Sequence, residues 1–390
     1  MATSDADEVG AGAAVTDPAA GPVNEAAWIR RRRGPLEVGP APYPRPGPGE
    51  IVVRTRAVAV NPLDWIVQLA GNFVYRWISY PFVPGTDLAG EVVEVGPDVT
   101  RFEPRERVLA QGVGAEKDRN RAAEGAFQHY SLVLACMAAP IPDDMAWTDA
   151  AVLPLGVSTA ACALYSGDHL GLRAPSLSPT PTGETVIVWG GSTSVGSNAI
   201  QLAVASGYRV VTTCSPRNFD YVAGLGASEA VDYRSPAVVS EVAAAVQDGP
   251  VAGALAIGAG SGRPCLDILR SVPGPRVLAL TSTPVGLDSI ADGANATLLM
   301  ARIGVSTAGL MARCRRHGVR AGFVNASAIR STEVSRTAYE QYLSAALAAH
   351  RYQVAPPALI AGEGLGALAG ALDLQRRGVS ARKVVVALPD

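Results

Sequence analysis

The stretch VIVWGGSTSVGSNAIQLAVASGY, residues 186–208, predicts a strand, a glycine-containing turn and a helix in direct succession. Small residues in such a turn let a phosphate approach the unpaired N–H groups at the start of the helix. The dinucleotide fingerprint G-x-G-x-x-G corresponds here to Gly191, Thr193 and Gly196, so a threonine replaces the middle glycine. We predict that the turn holds a phosphate, with the Thr193 hydroxyl as one donor; the alternative is a tight turn without a ligand. The residues assigned to the turn are Gly191, Ser192, Thr193, Ser194, Val195 and Gly196.

Strand and helix patterns alternate after this turn. The predicted strands are the short apolar runs at 185–190, 209–215, 228–233, 251–257 and 276–282. Near-continuous apolar runs suit a parallel sheet that helices cover on both faces. The alternation therefore predicts an α/β fold with a doubly wound, Rossmann-type domain.

The part of the chain before this domain is rich in β-strand patterns. Valine-rich runs at 50–60, 88–96 and 107–113 are bounded by glycine, proline or asparagine, as strands usually are. An apolar helical stretch with Thr148 as a possible N-cap follows, and residues 381–388 predict a strand that returns to the first domain. The expected organisation is a disordered tail at 1–22, a β-rich domain at 23–155 and 326–390, and a cofactor domain at 156–325.

Composition excludes several classes of function. A net charge of −2 over 390 residues leaves no basic surface of the kind that binds nucleic acid. We find no signal peptide and no apolar stretch of about 18 residues, and so expect no membrane span. The five cysteines are scattered and form no C-x-x-C pair, which argues against disulfides and a thiolate zinc site and favours a reducing cytoplasm.

The end of the second strand in the cofactor domain indicates which dinucleotide binds. NAD-binding domains usually place a carboxylate there to contact the ribose 2′-hydroxyl. This chain instead has Ser215, Arg217 and Asn218, and the first carboxylate is Asp220 inside the next helix. A guanidinium can donate two charge-assisted hydrogen bonds to a 2′-phosphate, so we predict NADPH. Tyr233, after the third strand, is a further candidate that donates a hydrogen bond or stacks on the adenine.

Five segments together resemble the medium-chain dehydrogenase/reductase superfamily. They are AVNPLDW (59–65), PFVPGTDLAGEVVEVG (81–96), LPLGVSTA (153–160), VWGGSTSVGSNAIQLA (188–203) and TCSPRNFDYVAGLGASEAVDY (213–233). The resemblance is strongest to its zinc-free branch, which includes quinone oxidoreductases and the trans-acting enoyl reductases of polyketide pathways. It implies a GroES-like catalytic domain, a Rossmann domain and an active site in the cleft between them.

The resemblance also bears on metal. Zinc-dependent members place cysteine, histidine and cysteine ligands where this chain has Asn61, Thr86 and Leu155. None of these side chains supplies a thiolate or an imidazole, so we expect no catalytic zinc. The cysteines of the structural zinc lobe are absent too, since residues 97–128 contain none.

Reduction of an activated C=C bond fits a metal-free cleft, because the substrate's own carbonyl spreads the developing negative charge. Asn61 and Thr86 are candidates for hydrogen bonds to that oxygen. The proton donor is Tyr75, Tyr80 or water, and these three alternatives stay open. Three further residues have candidate roles. Asp64 is a candidate for a catalytic or a structural role; the resemblance implies that Thr159 packs beside the nicotinamide and that Lys383 approaches the cofactor phosphates, with a surface position as the alternative for Lys383.

The sequence therefore predicts an NADPH-dependent reductase of a small or carrier-bound, polyketide-like substrate, acting as a monomer or homodimer in secondary metabolism. Three alternatives stay open: a reductive cyclase of a polyene tetramate-type intermediate, a quinone oxidoreductase, and an NADPH-binding protein without turnover. A zinc alcohol dehydrogenase is the remaining rival, and metal analysis would detect it.

Overall fold

A computed structural model of the chain describes residues 22–71, 74–286 and 295–389. The predicted disordered tail lies outside these residues, apart from Pro22. The strands of the described residues form a two-stranded hairpin, a six-stranded sheet and a seven-stranded sheet.

The N-terminal part of the chain is built of strands, as predicted. They are β1 (Asn24–Ile29), β2 (Leu36–Ala41), β3 (Glu50–Ala59), β4 (Asp87–Val95), β5 (Arg107–Gln111), β6 (Tyr130–Leu134) and β7 (Ala138–Pro140), with helix α1 (Pro62–Ala70) after β3. Strands β1 and β2 form the antiparallel hairpin. The long strand β3 pairs with both β4 and β6, which places the chain after β3 and the start of β4 next to each other.

Two helices, α2 (Trp147–Ala150) and α3 (Pro154–Tyr165), connect the two sheets. The prediction of Thr148 as a helix N-cap is wrong, because α2 begins one residue earlier and the longer helix begins at a proline, a residue favoured in the first helical turn. The expectation of no long apolar stretch is also wrong: Trp147–Tyr165 spans 19 residues with a mean hydropathy of 1.3. Of that stretch 78% is buried inside the protein, so it forms part of the core.

The six-stranded sheet is parallel throughout. Its strands and helices are β8 (Thr185–Trp189), α4 (Ser194–Ala205), β9 (Arg209–Cys214), α5 (Phe219–Gly224), β10 (Glu229–Asp232), α6 (Val238–Ala245), β11 (Val251–Ala256), α7 (Gly262–Ser271), β12 (Val277–Leu280), α8 (Ala296–Arg316) and β13 (Arg320–Phe323). The strand order β10-β9-β8-β11-β12-β13 is that of the doubly wound dinucleotide-binding fold. All residues of β8 and β11 are buried, as expected of central strands with helices on both faces. The predicted doubly wound sheet is confirmed.

The C-terminal part of the chain adds two strands to the seven-stranded sheet. Its elements are α9 (Glu333–Ser335), a π-helical segment (Arg336–Leu343), α10 (Ser344–Ala348), β14 (Ala358–Glu363), α11 (Leu368–Arg376) and β15 (Lys383–Ala387). Strand β15 pairs antiparallel with β3, Val386 lying opposite Val58. The predicted return of the last strand is therefore confirmed, and it brings the start of β15 close to the end of β3.

Helix α3 joins the two sheets by packing against α4. A Cβ atom built on Gly156 would lie 2.7 Å from both Ser194 Oγ and Asn198 Nδ2, so only a glycine allows this approach. The Tyr339 hydroxyl donates to Pro154 O at 3.0 Å and fixes the start of the same helix. The predicted domain boundary between residues 155 and 156 falls within α3; the division into domains stays a prediction.

Candidate active site

The glycine turn connects β8 to α4 and has the shape of an anion cradle. A Cβ atom on Gly196 would lie 2.2 Å from Gly190 O, and one on Gly191 would lie 2.1 Å from Thr212 Oγ1. Both glycines therefore let the turn and the helix start pack closely against the sheet. The Ser194 hydroxyl is buried and has no hydrogen-bond partner within the described part of the chain. An orphaned donor at a helix N-terminus fits a bound phosphate oxygen.

The Thr193 side chain has a different role from the predicted one. Its Oγ1 accepts a hydrogen bond from Gly196 N at 3.0 Å and donates to Gly190 O at 2.8 Å. The residue is thus the N-cap of α4, which begins at Ser194, inside the range that the sequence assigned to the turn. Since its single hydroxyl proton is committed to Gly190 O, Thr193 is not placed as a phosphate donor.

Backbone N–H groups in the turn supply the donors instead. Those of Ser192, Ser194 and Val195 make no hydrogen bond to any described residue. They lie at the positive end of the α4 dipole, where an anion is favoured. The turn predicted from the sequence is therefore fit to bind a phosphate, mainly through its backbone.

The predicted 2′-phosphate residues follow two adjacent parallel strands. Cys214 at the end of β9 lies opposite Asp232 at the end of β10, so Ser215 and Tyr233 follow neighbouring strand ends. Arg217 is exposed, and it forms no ion pair with any described carboxylate. A free guanidinium at this edge fits a phosphate.

Asn218 and Tyr233, predicted to bind the cofactor with Arg217, form hydrogen bonds within the protein. The Asn218 amide donates to Ser380 Oγ at 3.2 Å and ties the end of β9 to the loop before β15. The Tyr233 hydroxyl accepts from Arg234 Nε at 3.1 Å, and the Arg234 guanidinium lies 5.1 Å from the ring centroid. One face of Tyr233 is therefore covered, and Arg234 adds a second cation that was not predicted.

A buried polar network lies where β3, β4 and β15 meet. It consists of Asn61, Thr86, Asp87 and Lys383, each at most 5% exposed. Lys383 Nζ donates to Asn61 Oδ1 at 2.5 Å and lies 2.8 Å from Asp87 Oδ2. Asn61 Nδ2 donates to Thr86 Oγ1 and to Asp87 Oδ2, both at 2.9 Å. The ion pair and the amide thus form one connected unit.

The network adjoins the cofactor turn through the start of α3. Leu155 N donates to Asp87 Oδ1 at 2.7 Å. The next residue, Gly156, packs against Ser194 in the cradle. Asp87 of the network is therefore bonded to Leu155, and the residue after Leu155 contacts the first turn of α4. The network thus lies beside the predicted phosphate-binding helix.

The position of Lys383 corrects one prediction. The side chain is neither on the surface nor among the groups that line the turn, since its ammonium is enclosed by Asn61 and Asp87. Burial of a lysine is favourable only when its charge is paired, which Asp87 achieves here. The sequence held one signal: the chain has only two lysines, Lys117 and Lys383, among its 33 basic residues.

Asp64 is a structural residue in this arrangement. Its Oδ2 accepts a hydrogen bond from Asn61 N at 2.8 Å, and the backbone of Gly85 donates a second one. Burial raises the pKa of the Asp64 carboxyl to about 7, and the Asp87 carboxylate adds to the rise. The residue caps α1 and holds the Asn61 backbone beside the network, so it is not placed as a catalytic group.

Three candidate residues remain: Thr159, Tyr75 and Tyr80. The Thr159 hydroxyl donates to Leu155 O at 2.7 Å within α3. Tyr75 packs edge-on against Trp77, and burial raises the pKa of its phenol. The Tyr80 hydroxyl is buried without a partner among the described residues, and burial raises its pKa too. No hydrogen bond within the described ranges links either tyrosine to the network.

The residues at the expected zinc position do not fit that metal. Asn61 and Thr86 offer an amide and a hydroxyl, Leu155 offers an aliphatic side chain, and the Lys383 ammonium already lies against Asp87. Thiolate and imidazole are the ligands that zinc sites of this kind use. In residues 22–71, 74–286 and 295–389, no three or more His, Cys, Asp or Glu side chains group to hold a metal ion.

Comparisons with known proteins show the family of the chain. The family model for the alcohol dehydrogenase GroES-like domain matches residues 47–143. Dehydrogenase pigH of Monascus ruber is 43% identical over 94% of this chain and 100% of its own length. Trans-enoyl reductase himH of Aspergillus japonicus is 37% identical over 93% of this chain and 97% of its own length.

Solved structures share the fold. An alcohol dehydrogenase superfamily protein from Novosphingobium aromaticivorans superposes with a TM-score of 0.70 at 23% identity, over 94% of this chain and all of that one. The dinucleotide-type fold and the similarity to dehydrogenases and enoyl reductases define an oxidoreductase whose family implies a nicotinamide cofactor. The chain belongs to the medium-chain dehydrogenase/reductase superfamily, and its first sheet is the GroES-like domain predicted from the sequence.

Proposed function

We propose that the protein is an NADPH-dependent reductase that transfers hydride to an activated C=C bond without a metal. The observation that carries this proposal is the buried Asn61–Asp87–Lys383 network beside the α4 turn, in which an ammonium lies among the residues at the expected zinc position. Through the Thr86 hydroxyl, which accepts from the Asn61 amide, such a site offers a hydrogen-bond donor to a developing oxyanion. The names of several relatives, among them a trans-enoyl reductase, support the same reaction.

The cofactor proposed is NADPH, which would supply the hydride when bound. The free N–H groups of Ser192, Ser194 and Val195 would hold its pyrophosphate. Arg217, exposed after β9, would pair with the 2′-phosphate, with Ser215 beside it. Between the end of β9 and Asp220 in the next helix the sequence has no carboxylate to contact a ribose 2′-hydroxyl, and this supports NADPH over NADH.

The reaction needs a hydrogen-bond donor for the oxyanion and a source of one proton. Addition of a hydride to the β-carbon moves an electron pair onto the substrate's carbonyl oxygen, and a donor in the network would stabilise the resulting enolate. The enolate then takes one proton at its α-carbon, so the product gains two hydrogens in total. Tyr75, Tyr80 and water remain the proposed sources of that proton.

The substrate class proposed is a polyketide-like enone, enoyl thioester or polyene, either free or attached to a carrier. A monomer or a homodimer is proposed as the working form. The deciding experiment is oxidation of NADPH by the purified protein with α,β-unsaturated thioesters, enones and quinones, together with metal analysis. Turnover of the first two classes by metal-free protein is expected, whereas one bound zinc per chain would contradict the proposal.

The same experiment separates the alternatives. Preference for quinones over thioesters would favour a quinone oxidoreductase. Tight NADPH binding with no oxidation across the panel would favour a protein without turnover. For a polyene substrate, simple reduction and reductive cyclisation both add two hydrogens, so the number of alkenes left in the product, counted by NMR, distinguishes them.

A further inference from the structure

We propose that Lys383 is a positioning residue of the active site, which orients the Asn61 amide so that the Thr86 hydroxyl donates the hydrogen bond to the substrate's carbonyl oxygen. This inference rests on the proposed function. It assigns the oxyanion contact to Thr86 alone, whereas the sequence offered Asn61 and Thr86 together.

The orientation of the Asn61 amide follows from its neighbours. The Lys383 ammonium carries only donors, so the atom facing it at 2.5 Å must be the amide oxygen. The amide nitrogen then faces Thr86 Oγ1 and Asp87 Oδ2, and both of its protons are used there. Asn61 therefore has no proton left for a substrate.

Thr86 is the group with a proton to give. Its Oγ1 accepts from Asn61 Nδ2, and its own hydroxyl proton meets no acceptor in the described part of the chain. Its backbone is held by Gly112 N, which donates to Thr86 O at 2.7 Å. A hydroxyl that already accepts a bond from a polarised amide is a stronger donor, because hydrogen bonds in a chain polarise one another.

Charge in the network points the same way. Asp87 accepts from Lys383, Asn61 and Leu155 N, so its negative charge is fully engaged by donors. The chain of bonds from the Lys383 ammonium through Asn61 to Thr86 increases the positive charge on the Thr86 hydroxyl hydrogen. That is the sign an enolate oxygen requires.

Kinetics of matched variants test the chain of bonds. Thr86→Val keeps the shape of the side chain and removes the donor, and we expect kcat to fall about 100-fold or more. Lys383→Met combined with Asp87→Asn removes the ion pair without leaving a buried charge, and we expect a fall of about 10- to 100-fold with little change in the Kd of NADPH. Lys117→Met, at an exposed lysine, is the control.

The decisive comparison is the effect of the Lys383/Asp87 pair in two backgrounds. If Lys383 acts through Thr86, the paired substitution lowers kcat in the parent protein and has little further effect when Thr86 is already valine. Equal effects in both backgrounds would overturn the inference. So would a paired variant that folds and keeps the parent's kcat.

A spectroscopic measurement does not depend on turnover. The N-acetylcysteamine thioester of [1-¹³C]crotonic acid is bound to the protein loaded with NADP⁺, and the infrared stretch of its carbonyl is recorded. We expect a lower frequency in the parent than in Thr86→Val, and an intermediate one in the paired Lys383/Asp87 variant. A frequency that is the same in all three, or failure of the thioester to bind the parent, would overturn the inference. A shifted carbonyl in a parent that never reduces a substrate would instead refute the proposed function and leave the inference standing.

Discussion

The Lys383 ammonium lies 2.8 Å from the Asp87 carboxylate, with side chains that are only 5% and 0% exposed. The two residues come from opposite ends of the chain and meet because β15 and β4 both pair with β3. Removing one partner leaves the other charge without compensation in the protein interior, where the cost is large.

Lys383→Met is therefore expected to lower the free energy of unfolding by about 3–5 kcal/mol. Adding Asp87→Asn in the same chain should restore much of that loss, because no buried charge remains. Chemical denaturation of both variants measures the difference, with Lys117→Met as the control. If Lys383→Met alone has the same free energy of unfolding as the parent, the ion pair contributes nothing to stability and the expectation is wrong.

Arg217→Ala is expected to weaken NADPH binding about tenfold or more and to leave NADH binding nearly unchanged, since one charge-assisted contact to the 2′-phosphate is lost. Titration of both cofactors, followed by calorimetry, provides the measurement. The matched control is Arg270→Ala, an arginine on α7 that pairs with Asp267. An equal loss for the two cofactors would refute the role of Arg217.

Gly196→Ala is expected to destabilise the protein by about 1–3 kcal/mol and to weaken cofactor binding, because the added methyl group meets Gly190 O. Gly370 lies in helix α11, and a Cβ atom added there would meet nothing within 4 Å, so Gly370→Ala should be neutral or slightly stabilising. Thermal unfolding with and without NADPH compares the two. Unchanged cofactor binding in Gly196→Ala would show that binding does not require the close packing of Gly196 against Gly190.

Asp64 predicts a particular pH dependence of stability. Its pKa is about 7 when folded against an ordinary value of 3.8, so between these values the folded protein keeps a proton that the unfolded chain releases. The unfolded state then binds fewer protons, and stability falls as pH rises through this window. Compared with Asp64→Asn, the parent should lose stability from about pH 4 to pH 7 and change little above it. Urea titrations at several pH values measure this difference, and parallel curves for the two proteins would contradict the assignment.

Local pattern predicted the elements that carry the cofactor site. The buried run of β8, the glycine turn and α4 lie within one short stretch, so their structure depends on neighbours in sequence. Even there, one detail differed: the Thr193 side chain caps α4, because its hydroxyl lies within hydrogen-bond distance of Gly196 N and Gly190 O. Because Thr193 is the N-cap, α4 begins at Ser194, inside the range that the sequence assigned to the turn.

The residues of the buried polar network were harder to predict. Asn61 and Thr86 were predicted together and do contact each other, but their hydrogen bonds depend on Lys383, which follows Asn61 by 322 residues. Asp64 could be assigned as a cap only when its contact with the Asn61 backbone was seen. No spacing in the sequence encodes such contacts.

By itself, the sequence determined the α/β class, the parallel sheet and the glycine turn between β8 and α4, because periodicity and glycine geometry act over a few residues. Only the tertiary structure decided that a buried lysine lies against Asp87 where the resemblance placed zinc ligands, and that the Thr86 hydroxyl accepts from the Asn61 amide. The reason is physical: the pairing of strands distant in sequence sets which polar groups meet, and a buried charge takes whichever partner the sheet brings to it.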